Sequence, residues 1–367
     1  MKKTIKLKLL ASILPALMLL TVASCKKDKK VTPEVKIPGK YDNGFFIINA
    51  GWYSHGTGSV SFFSYDTNTI TDSIFTKENP GKGFDPATSS MEYGTVYNGK
   101  LYMLTNVGGP IVVADASTLK QTGRIDSAST NDFRAFVGID DTKGLVSSGD
   151  GVYPLNLQSV TLGAKLNGIS GEVGDMVKAG NYIFILSASD GVDVLSAADY
   201  SIVKTIPDMV VGFAVTPDGS VWAAGNKTLV KINSSSLTVS STALPFDING
   251  TFGFWHPGSI TASTKDNTIF IGNNGAYTGA TTIYRYKDGD ASTLTAPFIN
   301  IAGGKELIGK GLVYNASKDQ LIVSTVESGY GTHYLVNDLD FYDVSTGSLI
   351  KDLPFSGYYF PATYAFH

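Results

Sequence analysis

The chain writes one four-strand unit seven times over, and that recurrence restricts its fold more than any other feature. The unit is plain where the turn Asn98-Gly99-Lys100 leads into the strand Leu101-Tyr102-Met103-Leu104. A loop follows, then a third strand, Ile111-Val112-Val113-Ala114-Asp115. A tight turn, Ala116-Ser117-Thr118, opens the fourth strand, Leu119-Lys120-Gln121-Thr122. A sheet of four such strands is apolar on both faces and cannot bury both alone, so it must stack on copies of itself. The turn after the third strand recurs near Asp66, Asp115, Asn156, Ser196, Asn233, Lys287 and Asp343. The intervals are 49, 41, 40, 37, 54 and 56 residues, bracketing the period of about 40–50 that propeller blades show. Second strands precede these turns, among them Phe45-Phe46-Ile47-Ile48, Tyr182-Ile183-Phe184-Ile185-Leu186 and Leu321-Ile322-Val323; they are short, β-branched and aromatic. Helical periodicity is absent. The expected fold is therefore all-β: a seven-bladed β-propeller of four-stranded blades over residues 41–367. The first unit lacks a strand before Gly44, and an orphan strand at 359–366 follows the last unit. The C-terminal strand is expected to pair into blade one, which would remove an open sheet edge.

The N-terminus reads as an export signal over residues 1–24. Lys2, Lys3, Lys6 and Lys8 precede an apolar run, Leu9 to Ala23, too short for a membrane anchor. The run ends in Val22-Ala23-Ser24-Cys25, which resembles the lipobox of bacterial lipoproteins, and Cys25 is the single cysteine of the chain. The resemblance implies cleavage before Cys25 and its lipidation. Residues 25–40, with Pro33 and Pro38, read as a lipidated flexible tether. Cleavage leaves 25 basic against 32 acidic residues, a net charge of −7. So acidic a body excludes nucleic acid as an expected partner. No disulfide is available to it. The membrane is expected to be touched through the lipid anchor only, and the ring to be a monomer in itself.

Within each unit the first-to-second and third-to-fourth turns share one face, the bottom, and are short, as at Asp218-Gly219 and Ser317-Lys318-Asp319. The second-to-third and blade-to-blade loops share the top face and are long: 51–58, 76–92, 247–257, 273–281 and 325–337. Long loops on a rigid scaffold are where function sits. His55, His256 and His333 fall in top-face loops of blades one, six and seven, which are neighbours once the ring closes. Trp52, Tyr53, Trp255, Tyr277, Tyr330 and Tyr358 crowd the same arc. They are candidate ligand-binding residues, an aromatic wall with imidazole partners; the alternative is a packing cluster that fixes long loops. Arg134, at a blade-to-blade loop, is either a clamp for an anionic group or an inter-blade salt bridge. Should the aromatic arc be packing, the site is to be sought around Phe133, Arg134, Glu172 and Asp175.

No nucleophile elbow, His-Glu-x-x-His run or cysteine metal site is present. No catalytic residue, resident cofactor or metal is assigned. The leading reading is a non-catalytic binding module. The rivals are a propeller hydrolase or lyase using top-face His and carboxylates, such as Asp85, Glu92, Asp132 and Glu327, and a protein-interaction scaffold.

Two stretches carry a family likeness. Gly44-Phe45-Phe46-Ile47-Ile48-Asn49-Ala50-Gly51 with Gly58-Ser59-Val60-Ser61-Phe62-Phe63 resembles the opening of the YncE-like propeller lipoproteins of Bacteroidota. Asn98-Gly99-Lys100-Leu101-Tyr102 through Val113-Ala114-Asp115 resembles their second blade. Phe133-Arg134 stands where that family often has Pro-Arg, and Ala50 where it commonly has Glu. The best-understood members are similar to the surface vitamin B12-binding propeller that partners a TonB-dependent transporter. The resemblance implies an outer-membrane lipoprotein, on the surface or periplasmic face, that captures a small-molecule ligand such as a corrinoid for such a transporter.

Overall fold

The computed structural model describes residues 38–126, 132–250, 258–357 and 360–367. Residues 1–37, with the proposed signal, Cys25 and most of the tether, lie outside the described residues, as do Trp255, His256, Tyr358 and Tyr359.

Seven blades of four antiparallel strands form a ring. Blade one consists of Pro361–Phe366, Gly44–Trp52, Gly56–Ser64 and Thr69–Thr71, from the innermost strand outward. The C-terminal strand is thus the inner strand of the first blade, with Phe45 opposite Phe366 and Ile47 opposite Tyr364. Blades two, three, four, six and seven each take their four strands in chain order. In blade five the second and third strands form one range, Val221–Ile232. Its first half pairs with Val211–Val215 and its second with Val239–Ile248, and left-handed Asn226 marks the turn between them.

The ring holds together because each blade is apolar on both faces, and strand alternation sends successive side chains to opposite neighbours. Leu101 and Met103 pack against blade one, while Tyr102 and Leu104 pack against blade three. One buried cluster fills each blade-to-blade junction around the ring. At the junction of blades seven and one, Phe45 lies 5.0 Å from Phe63, 5.2 Å from Phe366 and 5.8 Å edge-on from Tyr364, by ring centroids. Fully burying such a side chain stabilises by about 1.5–3 kcal/mol.

Local rules differ from expectation at two places. The loop after blade one contains a short helix, Ile74–Glu78, where no helix was expected. It is too short to show a period. Ile74 and Phe75 are buried, and Asn79 Nδ2 donates to the carbonyls of Phe75 and Leu119, fastening it to blade two. The hairpin of blade one also runs further up than the expected loop 51–58. Gly51 pairs with Thr57, and Trp52 with Gly56, so Trp52 ends a strand. Gly51 (φ 83°) needs the left-handed region, and a Cβ on Gly58 would stand 1.8 Å from the Asn49 carbonyl oxygen.

Candidate functional site

The top face gathers its open aromatic surface on one arc. Among the described residues the exposed large aromatic side chains are Tyr53 (50 %), Tyr277 (73 %) and Tyr330 (74 %). They stand on the second-to-third loops of blades one, six and seven, three neighbours in the closed ring. Trp52 and His55 stack with their rings 3.7 Å apart and 20° from parallel. The His55 amide donates to the Trp52 carbonyl at 2.8 Å, which fixes the turn that makes this stack. The pair lines a cavity of about 250 Å³ with Asn49, Ser59 and Gly357. On blade seven the short turn Gly331–Leu335 sets Tyr334 beneath Tyr330, edge-on at 6.3 Å. Tyr334 in turn packs on Phe360 at 4.4 Å. His333 Nδ1 lies 2.8 Å from Glu327 Oε2, both half-exposed.

The residues picked from sequence therefore divide. Tyr53, Tyr277 and Tyr330 are open; Trp52, His55 and His333 each have a partner of their own; Trp255, His256 and Tyr358 lie outside the described residues. The aromatics serve both readings at once: an inner layer, Tyr334 and Phe360, packs the loops, and an outer layer faces solvent.

Arg134 lies elsewhere, in a cluster of acidic groups between blades. Its side chain is 3 % exposed and is held by Asp132 (2.9 Å), Glu172 (3.4 Å) and Glu92 (3.9 Å). Glu92 belongs to blade two and Glu172 precedes blade four, so the guanidinium ties three blades together: the inter-blade alternative is the one seen. Glu92 is buried beside it and also accepts from Asn106 Nδ2. Burial pushes its carboxyl up to about 8, against the pull of Arg134 and with the push of Asp132 and Glu172.

Sequence reading missed what crosses the channel. Asp175, on the inner strand of blade four, accepts from the Phe213 amide at 2.9 Å and from Lys310 Nζ, which reaches over from blade seven. In sequence Asp175 enters only as part of the alternative site around Arg134, and nothing in its neighbourhood points to residue 310. A second acidic group, Asp338, Asp340 and Asp352, sits on blade seven, with Lys305 Nζ 2.5 Å from Asp338. Among the described residues no three His, Cys, Asp or Glu side chains are arranged to hold a metal ion.

No curated protein matches the chain. A family model described as a domain of unknown function, DUF5074, matches residues 43–367. Among solved structures the chain is similar to a quinonprotein alcohol dehydrogenase-like protein from Bacteroides thetaiotaomicron VPI-5482. The two are 19 % identical with a TM-score of 0.71, over 89 % of this chain and 78 % of that one. A chain of a mitotic checkpoint complex is 13 % identical with a TM-score of 0.59, over 93 % and 99 %. The computationally designed Ika8 protein is 12 % identical with a TM-score of 0.53, over 86 % and 88 %. Identities this low speak to the propeller fold alone.

Proposed function

The chain belongs to the DUF5074 family, whose model spans the whole ring, and we propose that it is a non-catalytic binding module of the cell envelope. In this reading it is anchored through Cys25 to the outer membrane and captures a ligand on its top face for a TonB-dependent transporter. One observation carries the reading: the exposed aromatic side chains stand together on the top loops of blades six, seven and one. Rigid aromatic walls suit a large flat ligand, because they bury area with little loss of side-chain freedom. A corrinoid is the candidate supplied by the likeness to the propeller lipoproteins. The cavity beside Trp52, about 250 Å³, is small for such a molecule, which would lie across the rim and not inside it.

The test is a thermal-shift screen of the protein against corrinoids, haem, glycans and divalent metals, followed by titration of the hit. Tyr330→Ala and Tyr277→Ala should each weaken binding roughly tenfold, equivalent to about 1.4 kcal/mol. Neither should move the melting temperature of the free protein, since both rings are exposed. Lost stability with intact binding would make the cluster loop packing and overturn the reading.

A further inference from the structure

The central channel holds a cavity of about 190 Å³, bounded by Lys310. Inner strands contribute its wall: Thr363 from blade one, Phe213 from blade five, Ile260 and Thr261 from blade six, and Lys310 and Leu312 from blade seven. Three of its polar groups, on Lys310, Thr261 and Thr363, have protons to give. The ammonium of Lys310 has three protons, and its partner is the single carboxylate of Asp175. Thr261 Oγ1 accepts the Tyr314 amide at 3.0 Å, which leaves its own proton free to be given. Thr363 is buried, and its hydroxyl has no hydrogen-bond partner. An unmatched buried hydroxyl is destabilising, so a site that leaves one calls for a ligand or water. No Asp or Glu lines the cavity, and Asp175 is already taken up by Lys310 and the Phe213 amide. Phe213, Ile260 and Leu312 give the wall apolar stretches, beside the hydroxyl-bearing Tyr93, Thr95 and Tyr364. Water would satisfy the hydroxyls, but it gains nothing from Phe213, Ile260 and Leu312, whereas a hydrocarbon tail does.

We propose that the channel is a binding site for a small organic carboxylate. Its oxygens take the protons of Lys310, Thr261 and Thr363, and its short apolar tail lies against Phe213, Ile260 and Leu312. The site is separate from the aromatic rim and does not depend on it. It is smaller than the roughly 300 Å³ at which drug-sized pockets begin, which restricts the ligand to an acid of a few carbons.

The experiment compares butyrate, butyramide and inorganic phosphate at constant ionic strength, by thermal shift and calorimetry on the full chain. Butyrate in about tenfold excess over its Kd should raise the melting temperature by ~2–4 °C, with butyramide and phosphate giving far less. Lys310→Met should abolish the effect. Because that change strands Asp175, Thr363→Val is the second variant. It should fold as the parent does and bind butyrate about fivefold more weakly, the worth of one hydrogen bond. A butyramide shift equal to that of butyrate removes the anion from the proposal, and an equal phosphate shift removes the tail. No shift at all, or unchanged binding in both variants, overturns it. Tyr277 and Tyr330 are untouched throughout, so this outcome is independent of the rim.

Discussion

At the scale of single residues burial raises the carboxyls of Glu92, Glu172, Asp193 and Asp340, the first and last most strongly. Glu92 is pushed up to about 8 by burial, and Asp340 to about 7 by burial and by Asp352 and Asp338. Asp340 and Asp352 stand directly opposite each other on neighbouring strands. An unfolded chain releases the Glu92 proton near the ordinary glutamate value of 4.5, while the folded chain keeps it until about 8. Across that window the native state binds more protons than the unfolded one, so stability falls as pH rises. Asp340 acts in the same direction over a narrower window. Glu78 opposes them only in acid: its amine partners Lys40 and Lys120 and the Tyr41 hydroxyl hold it down to about 2. The protein should therefore lose stability from pH 5 to 9, by an amount on the order of a few kcal/mol. Glu92→Gln should flatten part of that slope and Asp340→Asn another part, read as melting temperature against pH. Slopes identical to the parent's in both variants would refute the assignment. None of this was legible in the sequence. It depends on which carboxyl is buried, and for Glu92 that follows from its place at the inner-strand bulge Met91/Tyr93.

At the scale of elements the sequence was most readable, because one turn is written again and again. Asp115 Oδ1 accepts the Thr118 amide, Asn156 Oδ1 those of Gln158 and Ser159, Asn233 Oδ1 those of Ser235 and Ser236, and Asp343 Oδ1 those of Ser345 and Thr346. Four residues after the first, the backbone turns left-handed, at Leu119, Val160, Leu237 and Gly347. An acidic or amide side chain that ties its own turn is a local device, so it survives in the sequence as a mark with no knowledge of the ring. Blade six departs from the pattern: Lys287 precedes a short helical turn, Ala291–Leu294, capped by Asp290. Loop lengths were less readable, since paired glycines carried the blade-one hairpin beyond its expected end. The closing strand yields a direct prediction. Deleting residues 358–367 exposes the edge of Gly44–Trp52 and uncovers Phe45, at a cost on the order of 5 kcal/mol or more. The melting temperature should drop by roughly 10 °C or more, or the cooperative transition should be lost. Unchanged melting would show that the strand is dispensable.

At the scale of the whole molecule the N-terminal end of the described body meets the short-turn face of the ring. The described body begins at Pro38, and the Tyr41 amide donates to Ser117 in a bottom-face turn of blade two at 3.2 Å. Cys25→Ser should move the protein from the membrane pellet into the soluble fraction. Retention in the pellet after a high-salt wash would defeat the anchor. The ring and its arc of loops could be read from the chain because repeats and loop lengths are local signals. The bridge from Asp175 to Lys310 could not, since only closure brings residues so far apart in sequence together across the channel. Closure has a further consequence for how the protein comes into being. Synthesis proceeds from the N-terminus, so blade one waits, one strand short, until Pro361–Phe366 arrives. Only then is the edge of Gly44–Trp52 covered and the ring closed.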